Sequence, residues 1–547
     1  MGKYDEISRD IAAEYINSII FIDDNIFFPN AKEDEKKVED TPLIDEFPLN
    51  ADSISKSFAQ YGIPCSFVKY DKRGEDVNII KLLQRADVGI VDWRIIIDNC
   101  QPPEALLESA EEVVEDTGAG RGEEAKRLIT QFIALDTDCP KLVIVYTADS
   151  SEDIINLLDL KNGSTLDNNA WVSNNGMLRI VVWYKEERED SRLPEGKSKY
   201  IVKHEVFPKK VIEEFALLHN GILPCITLKI INEIRQNSKM LLGRYNGSLD
   251  PAFIIHRAMS LAPDASNSII LESIMTSIAS FIDYSNIDGS VIDREFLGDW
   301  ITKQGYNDVE ITPDKDKKNT KICINDENRI KWLVEGFNAA LGEKIDVNYH
   351  LKNNAIKAFT PPVASGVKFN EEFSINTLHK SHFTNRDDAH KLSLGSIVKR
   401  SHEGNDEYFM CIQQKCDSVR ILNSKPRHFL FLSLSEVSQE KIDDSQYDLI
   451  IKNNTDPVEY KYFKILQSNS YNLCVYNFKP QADQSEIVTK KDDNLKPYFE
   501  DENACRFYWV FDLKDVIAQA ILNNYAAKIS RVGLNEYEWL RVQPNKH

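Results

Sequence analysis

Short runs of β-branched residues alternate with amphipathic stretches over roughly the first 215 residues of the chain. Strict alternation of buried strands and helices is typical of a parallel sheet that helices cover on both faces. The pattern therefore predicts a doubly wound, five-stranded parallel α/β sheet. The predicted strands lie at 19–22, 65–68, 88–91, 142–145 and 178–182, and the predicted helices lie at 51–61, 77–85, 122–134, 152–160 and from about Lys209 onward.

Two inserts interrupt this alternation. An acidic segment at 29–50 follows the first predicted strand, and a segment with proline and glycine at 98–121 follows the third. Both begin after the carboxyl end of a strand, which is the edge where open α/β sheets bind their ligands. We therefore expect the inserts to begin beside the ligand-binding edge of the sheet.

The periodicity changes twice beyond the predicted sheet. Apolar residues recur at three- and four-residue spacing from Cys225 to Leu242 and from Ala252 to Ile282, which indicates helices. A polar stretch at 306–327 predicts a loop or a weak hairpin. Beyond about Leu392 strand-like runs return, and helical spacing then follows; the runs are 408–412, 419–422, 429–432, 460–465 and 508–511, and the helical stretches are 514–530 and 533–541.

These changes predict three parts of the chain. We expect a sheet domain with its two inserts at 1–215, a helical domain at 216–350, and a β-rich C-terminal domain with terminal helices at 351–547.

Composition is that of an ordinary soluble globular protein, with 42% apolar and 28% charged residues. The N-terminus opens with acidic residues, and no uncharged apolar run approaches the ~18 residues that indicate a transmembrane helix. We therefore expect a cytoplasmic protein without a membrane partner. The net charge of −21 makes nucleic acid an unfavourable partner, because such binding depends on cations that release counterions from phosphates.

Nine cysteines are scattered along the chain without a CxxC pair, which predicts reduced and mostly buried thiols. Cys411 and Cys416 lie close in sequence, but His402 and His428 do not have the spacing of a tetrahedral zinc site.

Polar residues stand at the ends of four predicted strands. Asp23 and Asp24 follow the first strand, Asp92 the third, Thr147 the fourth, and Lys185 the fifth. Because parallel strands end at the same edge of a sheet, we expect all five side chains to meet there. Clustered carboxylates repel one another and favour a hard divalent cation with oxygen ligands, so the sequence predicts a Mg²⁺ site.

The same residues suit phosphoryl transfer, which needs positioning and charge neutralisation more than any other chemistry. Asp92 would be the nucleophile, Thr147 would donate a hydrogen bond to one phosphoryl oxygen, and Lys185 would pair with another. Ala148 would leave room for the donor. Each residue alone has an ordinary structural explanation, such as a helix cap or a surface lysine, so the functional interpretation depends on their occurring together.

At these positions the chain resembles the receiver domains of two-component response regulators, whose fold is flavodoxin-like. The matching features are an acidic pair, an acceptor aspartate, a hydroxyl residue followed by alanine, and a lysine, each after its own strand. The resemblance implies that a sensor histidine kinase phosphorylates Asp92. It also implies that Asp24, Asp92 and, through water, Asp23 hold Mg²⁺ together with the backbone carbonyl of Arg94.

The chain also departs from the pattern of that family. Glu186 follows the site lysine where the family usually has proline, and Trp183 and Tyr184 lie nearer that lysine than the usual aromatic switch residue. Arg94 and Asp149 occupy positions that affect dephosphorylation in the family, so the resemblance does not give the lifetime of the aspartyl phosphate.

Residues 216–547 contain no GxSxG, Walker-type or HExxH motif. His256 is better explained by partial burial on a helix than as a phosphorelay histidine, and Cys416 next to Asp417 has no histidine placed by the sequence to activate it. We therefore expect no enzymatic activity beyond self-phosphorylation from a phosphohistidine donor and autodephosphorylation.

Residues 15–215 further resemble the receiver proteins of bacterial anti-phage phosphorelays of the Detocs type. This resemblance implies a phosphate buffer, which drains phosphoryl groups from a kinase that also serves a second receiver. Two alternatives stay open. In one, residues 216–547 form an effector enzyme, such as a hydrolase or nuclease, that phosphorylation activates; in the other, the chain is a transcriptional regulator with a local basic face.

Overall fold

The computed structural model of the chain forms two compact units, Met1–Ser248 with Glu272–Lys303 and Leu249–Leu271 with Gln304–His547. The domain boundaries that the sequence predicts at 215 and 350 stay predictions. The structure describes residues 2–27, 49–70, 76–95, 122–134, 139–147, 154–166, 169–185, 200–259, 265–285, 287, 292–311, 321–341, 350–360, 363–380, 389–402, 404–421, 425–437, 447–453, 458–465, 472–481 and 484–529.

Three predicted features fall wholly or mainly outside these described residues. They are the insert at 98–121, most of the insert at 29–50, and the helical stretch at 533–541. From the first insert, Leu49–Asn50 forms strand β3, which pairs in parallel with β2 (Ile26–Phe27).

The first unit is built around a seven-stranded sheet. Its strands are β1 (Ile19–Asp23), β4 (Cys65–Lys69), β5 (Val88–Val91), β6 (Lys141–Thr147), β7 (Gly163–Leu166), β8 (Ala170–Ser173) and β9 (Leu178–Tyr184). The strand order is β4-β1-β5-β6-β9-β8-β7, and the first five of these strands pair in parallel. This is the order of a doubly wound sheet whose direction reverses at β1 and β5, where such folds bind their ligands.

The prediction of five strands is wrong in number, because β8 and β7 extend the sheet by an antiparallel hairpin beyond β9. Each of the two added strands has four residues, and only Ala170 and Trp171 among them are buried. A hairpin with so few buried positions has neither an alternating pattern nor a continuous apolar run. Hydrophobic periodicity therefore gives no signal for it.

Helices cover both faces of this sheet, because successive strand residues point to opposite sides. The helices are α1 (Lys3–Tyr15), α2 (Ala51–Ala59), α3 (Asp76–Arg85), α4 (Glu123–Ile133), α5 (Ile154–Leu157), α6 (Phe207–Leu218) and α7 (Ile222–Arg244). In β1, Ile19 and Phe21 pack in a core with α1, α2, α6 and α7, whereas Ile20 and Ile22 pack with α3, α4 and α5. The structure contains a helix at each predicted stretch, although α5 is shorter than the stretch predicted at 152–160, and α1 is an additional helix.

Further helices follow α7, as the three- and four-residue spacing predicts. They are α8 (Asp250–Met259), α9 (Ala265–Tyr284) and α10 (Arg294–Gln304). Cys225 and Leu228 of α7 and Phe296 of α10 are buried in the core that also contains α1. Part of the predicted helical domain therefore packs in the same unit as the sheet. Among the described residues no helix combines the length and the apolar character needed to cross a membrane.

A buried histidine in this helical layer gives a prediction about acid stability. His219 is 4% exposed, and its ring lies against those of Tyr15 and Phe215. Burial lowers its pKa from 6.5 to about 4, so the unfolded chain binds a proton in a pH range where the folded chain does not. Stability contributed by the neutral ring is therefore complete above pH 6.5 and is lost as the pH falls towards 4, by up to about 3 kcal/mol.

Between pH 7 and pH 4.5 the free energy of unfolding of the wild-type chain should decrease. We expect this decrease to be about 2–3 kcal/mol smaller in His219→Leu, as measured by urea unfolding at the two pH values. His256→Leu is the control for the replacement of a histidine by leucine, because His256 is exposed on α8 and its substitution should change the free energy of unfolding at pH 7 little. If the His219 variant and the wild-type chain lost the same free energy of unfolding between the two pH values, the ring would be protonated in the folded protein.

The second unit begins with a small hairpin and helices. The hairpin strands β10 (Val309–Ile311) and β11 (Ile322–Ile324) form the weak hairpin predicted at 306–327. Ile311 and Ile324 form a small buried core with Ala358. The helices are α11 (Asp326–Glu335), α12 (Phe337–Leu341), α13 (His350–Phe359) and α14 (Val363–Leu378).

A nine-stranded antiparallel sheet completes this unit. Its strands are β12 (Ser396–His402), β13 (Asn405–Cys411), β14 (Arg427–Val437), β15 (Leu449–Asn453), β16 (Glu459–Ile465), β17 (Leu473–Phe478), β18 (Lys490–Lys491), β19 (Pro497–Glu500) and β20 (Arg506–Asp512). They run in the order β15-β16-β14-β13-β12-β20-β19-β18, and β17 also pairs with β14. One core includes Ala518 and Tyr525 of α15 (Asp515–Ile529), and a second core is rich in phenylalanine.

The strand predicted at 419–422 is wrong. Residues 418–420 form a bend, and Arg420 has a φ of 60°. A non-glycine residue in this left-handed region cannot continue an extended strand. The other four strand-like runs of the C-terminal part lie in β13, β14, β16 and β20, except that Ile412 follows the end of β13, and the helix predicted at 514–530 corresponds to α15.

Candidate functional site

The carboxyl edge of the parallel strands carries the residues that the sequence singles out. Asp23 ends β1 and Asp24 follows it, Asp92 follows β5, Thr147 ends β6, and Lys185 follows β9. The register aligns these strand ends, since Ile22 pairs with Val91, and Thr147 with Tyr184. The strands stop together because each is a continuous buried run that ends at a polar residue.

Lys185 is the cation at the centre of this group. Its Nζ lies 2.7 Å from Oδ2 of Asp92 and 3.5 Å from Oδ2 of Asp23. All three residues are nearly buried, with exposed fractions of 3–7%. One ammonium group therefore faces two carboxylates in a place that water hardly reaches.

Backbone hydrogen bonds hold these side chains in place. The N–H of Arg94 donates to Oδ1 of Asp92 at 3.1 Å, and the N–H of Asn25 donates to Oδ1 of Asp23 at 2.7 Å. The N–H of Lys185 donates to the carbonyl of Thr147 at 2.9 Å, which ties the ends of β6 and β9 together. Each carboxylate is thus fixed by the turn that follows its own strand.

The electrostatics of the group are unusual for carboxylates. Burial, reinforced by the charge of Asp92, raises the pKa of Asp23 to about 7, although Lys185 opposes the change. Burial alone would lower the pKa of Lys185, but Asp92 and Asp23 outweigh it and raise that pKa. The site therefore carries an excess of negative charge that an additional cation would relieve.

Asp23, Asp24 and Asp92 also form a group suited to a metal ion. Each offers one carboxylate oxygen, and these three oxygens lie within 4.8 Å of one another. Carboxylate oxygens are the donors that Mg²⁺ prefers, so the residues fit this ion. Within the part of the chain that the structure describes, no other set of three or more histidine, cysteine or acidic side chains meets the same criterion.

The remaining predicted site residues are placed as follows. Thr147 is fully buried at the end of β6. Ala148, Asp149 and Glu186 lie outside the described residues, and the proposed metal contact of the Arg94 carbonyl stays a prediction.

The two aromatic residues before Lys185 point to opposite faces of the sheet. Trp183 is 2% exposed and packs edge-on against Phe207, at 5.2 Å between ring centroids. Tyr184 is 3% exposed and belongs to the core on the other face. Both rings therefore serve as core residues in this structure.

The candidates outside the sheet do not join the site. His256 and Cys416 are exposed, and Cys416 Sγ lies 3.7 Å from the side-chain oxygen of Gln414. Cys411 is buried in the second unit, where burial raises its pKa to about 12, so its thiol stays protonated.

The sequence analysis did not identify two buried aromatic residues, Tyr70 and Trp93, near the carboxyl edge of the sheet. This acidic edge carries Asp23, Asp24, Asp92, Thr147 and Lys185. Tyr70 is fully buried, its N–H donates to the carbonyl of Asp23 at 3.1 Å, and its hydroxyl accepts a 2.7 Å hydrogen bond from Arg127. Trp93, directly after the acceptor aspartate, is 2% exposed and lies against Gly122. The glycine is the one sequence signal for this contact, because it directly follows a long insert and is the first residue of the helix predicted at 122–134.

Gly122 allows a test of how tightly the acceptor loop is packed. Its φ is 80°, and an added Cβ would lie 2.1 Å from the ring of Trp93. Gly176 also has a positive φ, of 70°, but no atom lies within 4 Å of its Cβ position. We expect Gly122→Ala to lower the free energy of unfolding by about 2 kcal/mol more than Gly176→Ala, because the control has backbone strain without overlap. Guanidinium titrations of both variants would measure this difference, and equal losses would contradict the contact with Trp93.

Comparison with known proteins agrees with this geometry. Residues 15–190 match the family model described as the response receiver domain. No curated protein and no solved structure matches the chain. The matched segment contains all five residues of the acidic edge and all five parallel strands, four of which carry those residues at their ends.

A receiver domain accepts a phosphoryl group in two-component signalling, which implies a phosphodonor such as a histidine kinase. Receiver domains typically bind Mg²⁺ through an acidic pocket, and the cluster of Asp23, Asp24 and Asp92 has that character. The family match and the geometry of the acidic cluster together support a response-regulator receiver domain in the N-terminal part of the chain.

Proposed function

We propose that the chain is a phosphoacceptor of a bacterial two-component phosphorelay, in which Asp92 receives a phosphoryl group from the phosphohistidine of a sensor kinase. The observation that supports this most is the contact of Lys185 with Asp92 at 2.7 Å, next to the carboxylate oxygens of Asp23 and Asp24. A nucleophilic carboxylate beside a fixed cation is the arrangement that phosphoryl transfer requires.

In the proposed reaction one carboxylate oxygen of Asp92 forms a bond to phosphorus while the P–N bond to the kinase histidine breaks. The electron pair of that bond stays on the imidazole. Lys185, which is already within reach of Asp92, would pair with a phosphoryl oxygen, and the hydroxyl of Thr147 would donate to another. The residues that would hold Mg²⁺ are Asp23, Asp24 and Asp92, where the ion would neutralise the charge brought in by the phosphoryl group.

Burial of the site residues supports the same proposal. The acceptor and the lysine expose 7% each, so water reaches them poorly. Fixed charges act more strongly in such a place than in bulk water. The backbone hydrogen bond from Arg94 further limits the rotation of the Asp92 carboxylate before the donor arrives.

We further propose that the chain acts as a phosphate buffer in anti-phage defence. This finer assignment is supported by the resemblance of residues 15–215 to the receiver proteins of such phosphorelays. A buffer competes with a second receiver for one kinase, so stray kinase activity is drained before it activates an effector.

A competition experiment tests the proposal. A sensor histidine kinase would be labelled with radioactive ATP and mixed with an effector-bearing receiver, with or without the purified chain and Mg²⁺. We expect the chain to acquire label and to lower the label on the second receiver, and we expect the Asp92→Asn chain to do neither. Full labelling of both receivers without competition would refute buffering but leave the phosphoacceptor chemistry intact. A hydrolase or nuclease activity that appears with phosphorylation would instead identify an effector.

A further inference from the structure

The site lysine contacts an aromatic ring as well as the two carboxylates. Nζ of Lys185 lies over the ring of Tyr146, at 5.8 Å from the ring centroid. A cation within about 6 Å of the centroid is attracted by the negative face of an aromatic ring. Both side chains are buried, so water screens this attraction little. The ring of Tyr146 is therefore a third group that acts on the ammonium.

The strand register brings the ring and the lysine together. Tyr146 of β6 pairs with Trp183 of β9, and both belong to the core that α1, α2, α6 and α7 cover. Tyr184 belongs to the core on the other face. Because successive residues of an extended chain alternate between the faces, Lys185 returns to the face of Tyr146. The contact is thus a consequence of the pairing between β6 and β9.

Tyr146 is held firmly at both ends of its side chain. Its hydroxyl donates to the carbonyl of Val202 at 3.2 Å, and its ring packs edge-on against Phe207, at 4.9 Å between centroids. Val202 is itself fixed, since its N–H donates to the carbonyl of Tyr184 at 3.1 Å. The hydroxyl thus donates to the backbone, and the face of the ring is the part of Tyr146 that acts on the lysine.

We propose that Tyr146 is a positioning residue for phosphoryl transfer and acts through Lys185, an inference that rests on the proposed phosphoacceptor function. During transfer the ammonium exchanges an oxygen of Asp92, now 2.7 Å away, for an oxygen of the phosphoryl group. A hydrogen bond to one oxygen breaks during this exchange. Attraction to a ring face depends less on direction, so it keeps the ammonium in the site throughout.

A neutral ring suits this position better than another acid. Asp23 and Asp92 already give the site an excess of negative charge, and the incoming phosphoryl group adds more. A further carboxylate would hold the ammonium but would also repel the phosphoryl oxygens. The aromatic ring attracts the cation without a net charge of its own, so it stabilises Lys185 without opposing the donor.

Two substitutions separate the ring from the hydroxyl. The full chain would be treated with phosphoramidate, a small donor with a P–N bond, at saturating Mg²⁺, and the rate of phosphorylation would be followed on a phosphate-affinity gel. We expect Tyr146→Leu, which lacks the ring, to react about tenfold more slowly or less. Tyr146→Phe keeps the ring and should stay within about threefold of the wild-type rate.

Fluorinated phenylalanines at position 146 give a measurement that a structural role would not affect. Each added ring fluorine withdraws electron density from the ring face but changes the size of the side chain little. We expect the rate to decrease stepwise with the number of fluorines, from the level of Tyr146→Phe towards that of Tyr146→Leu. A side chain that merely fills the core would give the same rate throughout the series.

Phe58→Leu is the matched control. Phe58 of α2 is fully buried and packs against the same ring of Phe207, at 6.1 Å between centroids. Its substitution should lower the melting temperature, as Tyr146→Leu does, but leave the rate of phosphorylation unchanged. Circular dichroism would show that each variant is folded.

The possible results distinguish this inference from the proposed function. A constant rate across the fluorinated series, or a wild-type rate in Tyr146→Leu, would overturn the role of Tyr146 and leave the phosphoacceptor function intact. An equal decrease in Phe58→Leu would also overturn it, because the rate would then follow core packing. A wild-type chain that phosphoramidate leaves unmodified would overturn the phosphoacceptor function and the role of Tyr146 with it.

Discussion

Asparagine in place of Asp92 is expected to lower phosphoryl incorporation by at least about a hundredfold, a change equal to about 2.7 kcal/mol. The amide keeps the shape of the side chain but is a poor nucleophile, because it carries no negative charge. A small phosphodonor such as acetyl phosphate would separate this chemistry from recognition of the kinase. Label that hydroxylamine releases from the wild-type chain, and that is lacking from the variant, would identify an acyl phosphate at Asp92.

The same substitution has a second expected effect. With a neutral residue at 92, Asp23 loses the neighbouring charge that helps to raise its pKa to about 7, so its pKa should fall. The cluster also loses one of three carboxylate oxygens, so the variant should bind Mg²⁺ more weakly. Titration with Mg²⁺, followed by tryptophan fluorescence, would measure this change, since Trp93 is next to the acceptor.

Asp87 offers a matched control for Asp92. It is 7% exposed and precedes β5, whereas the acceptor follows the same strand at the other edge of the sheet. Asp87 accepts hydrogen bonds from the Asn17 N–H at 2.8 Å and pairs with Arg235 at 3.7 Å. Asp87→Asn should therefore affect stability but leave labelling and Mg²⁺ binding unchanged. Loss of labelling in a folded Asp87 variant would show that the experiment reports stability rather than the acceptor.

Sequence could predict the acidic edge because two simple regularities coincide there. Long buried runs mark the parallel strands, and the first polar residue after each run marks its carboxyl end. Once the strands are parallel, Asp23, Asp92 and Lys185 must lie at one edge, whatever the connecting segments do. The pairing of Lys185 with both carboxylates is a side-chain geometry that the pattern does not contain.

Features that depend on contacts distant in sequence could not be predicted in this way. The β7–β8 hairpin buries too few residues to show a period, and the hydroxyl of Tyr70 meets Arg127 across a long insert. The bend at 418–420 replaces a predicted strand, because local apolar composition does not specify the left-handed φ of Arg420. In each case tertiary packing overrides the local preference.

Lys185→Met is expected to have the largest effect on stability, and the effect should depend on both pH and Mg²⁺. The variant leaves Asp92 and Asp23 buried together without the cation that lies 2.7 and 3.5 Å away. Removing one partner of a buried ion pair typically costs about 3–5 kcal/mol, because the remaining charge is uncompensated. Urea unfolding at pH 8 in EDTA should show a loss of this size.

The sign of the pH dependence follows from the pKa of Asp23. Its raised value of about 7 means that the folded protein holds a proton that the unfolded chain releases at lower pH. Stability associated with the protonated form is complete below the ordinary value of 3.8 and is lost as the pH rises through 7. Lysine removal takes away the positive charge that opposes protonation of Asp23, so the variant should lose much less free energy of unfolding at pH 5 than at pH 8.

Mg²⁺ should restore part of the lost stability at pH 8, because a bound ion replaces the missing positive charge and binds the folded state alone. Lys141 is the control, since it is equally buried and donates to the backbone carbonyls of Gln84 and Ala86 at the opposite edge of the sheet. Lys141→Met should also destabilise the protein, but without rescue by Mg²⁺. If the Lys185 variant lost the same free energy at both pH values, with or without Mg²⁺, the carboxylates could not share one charged site.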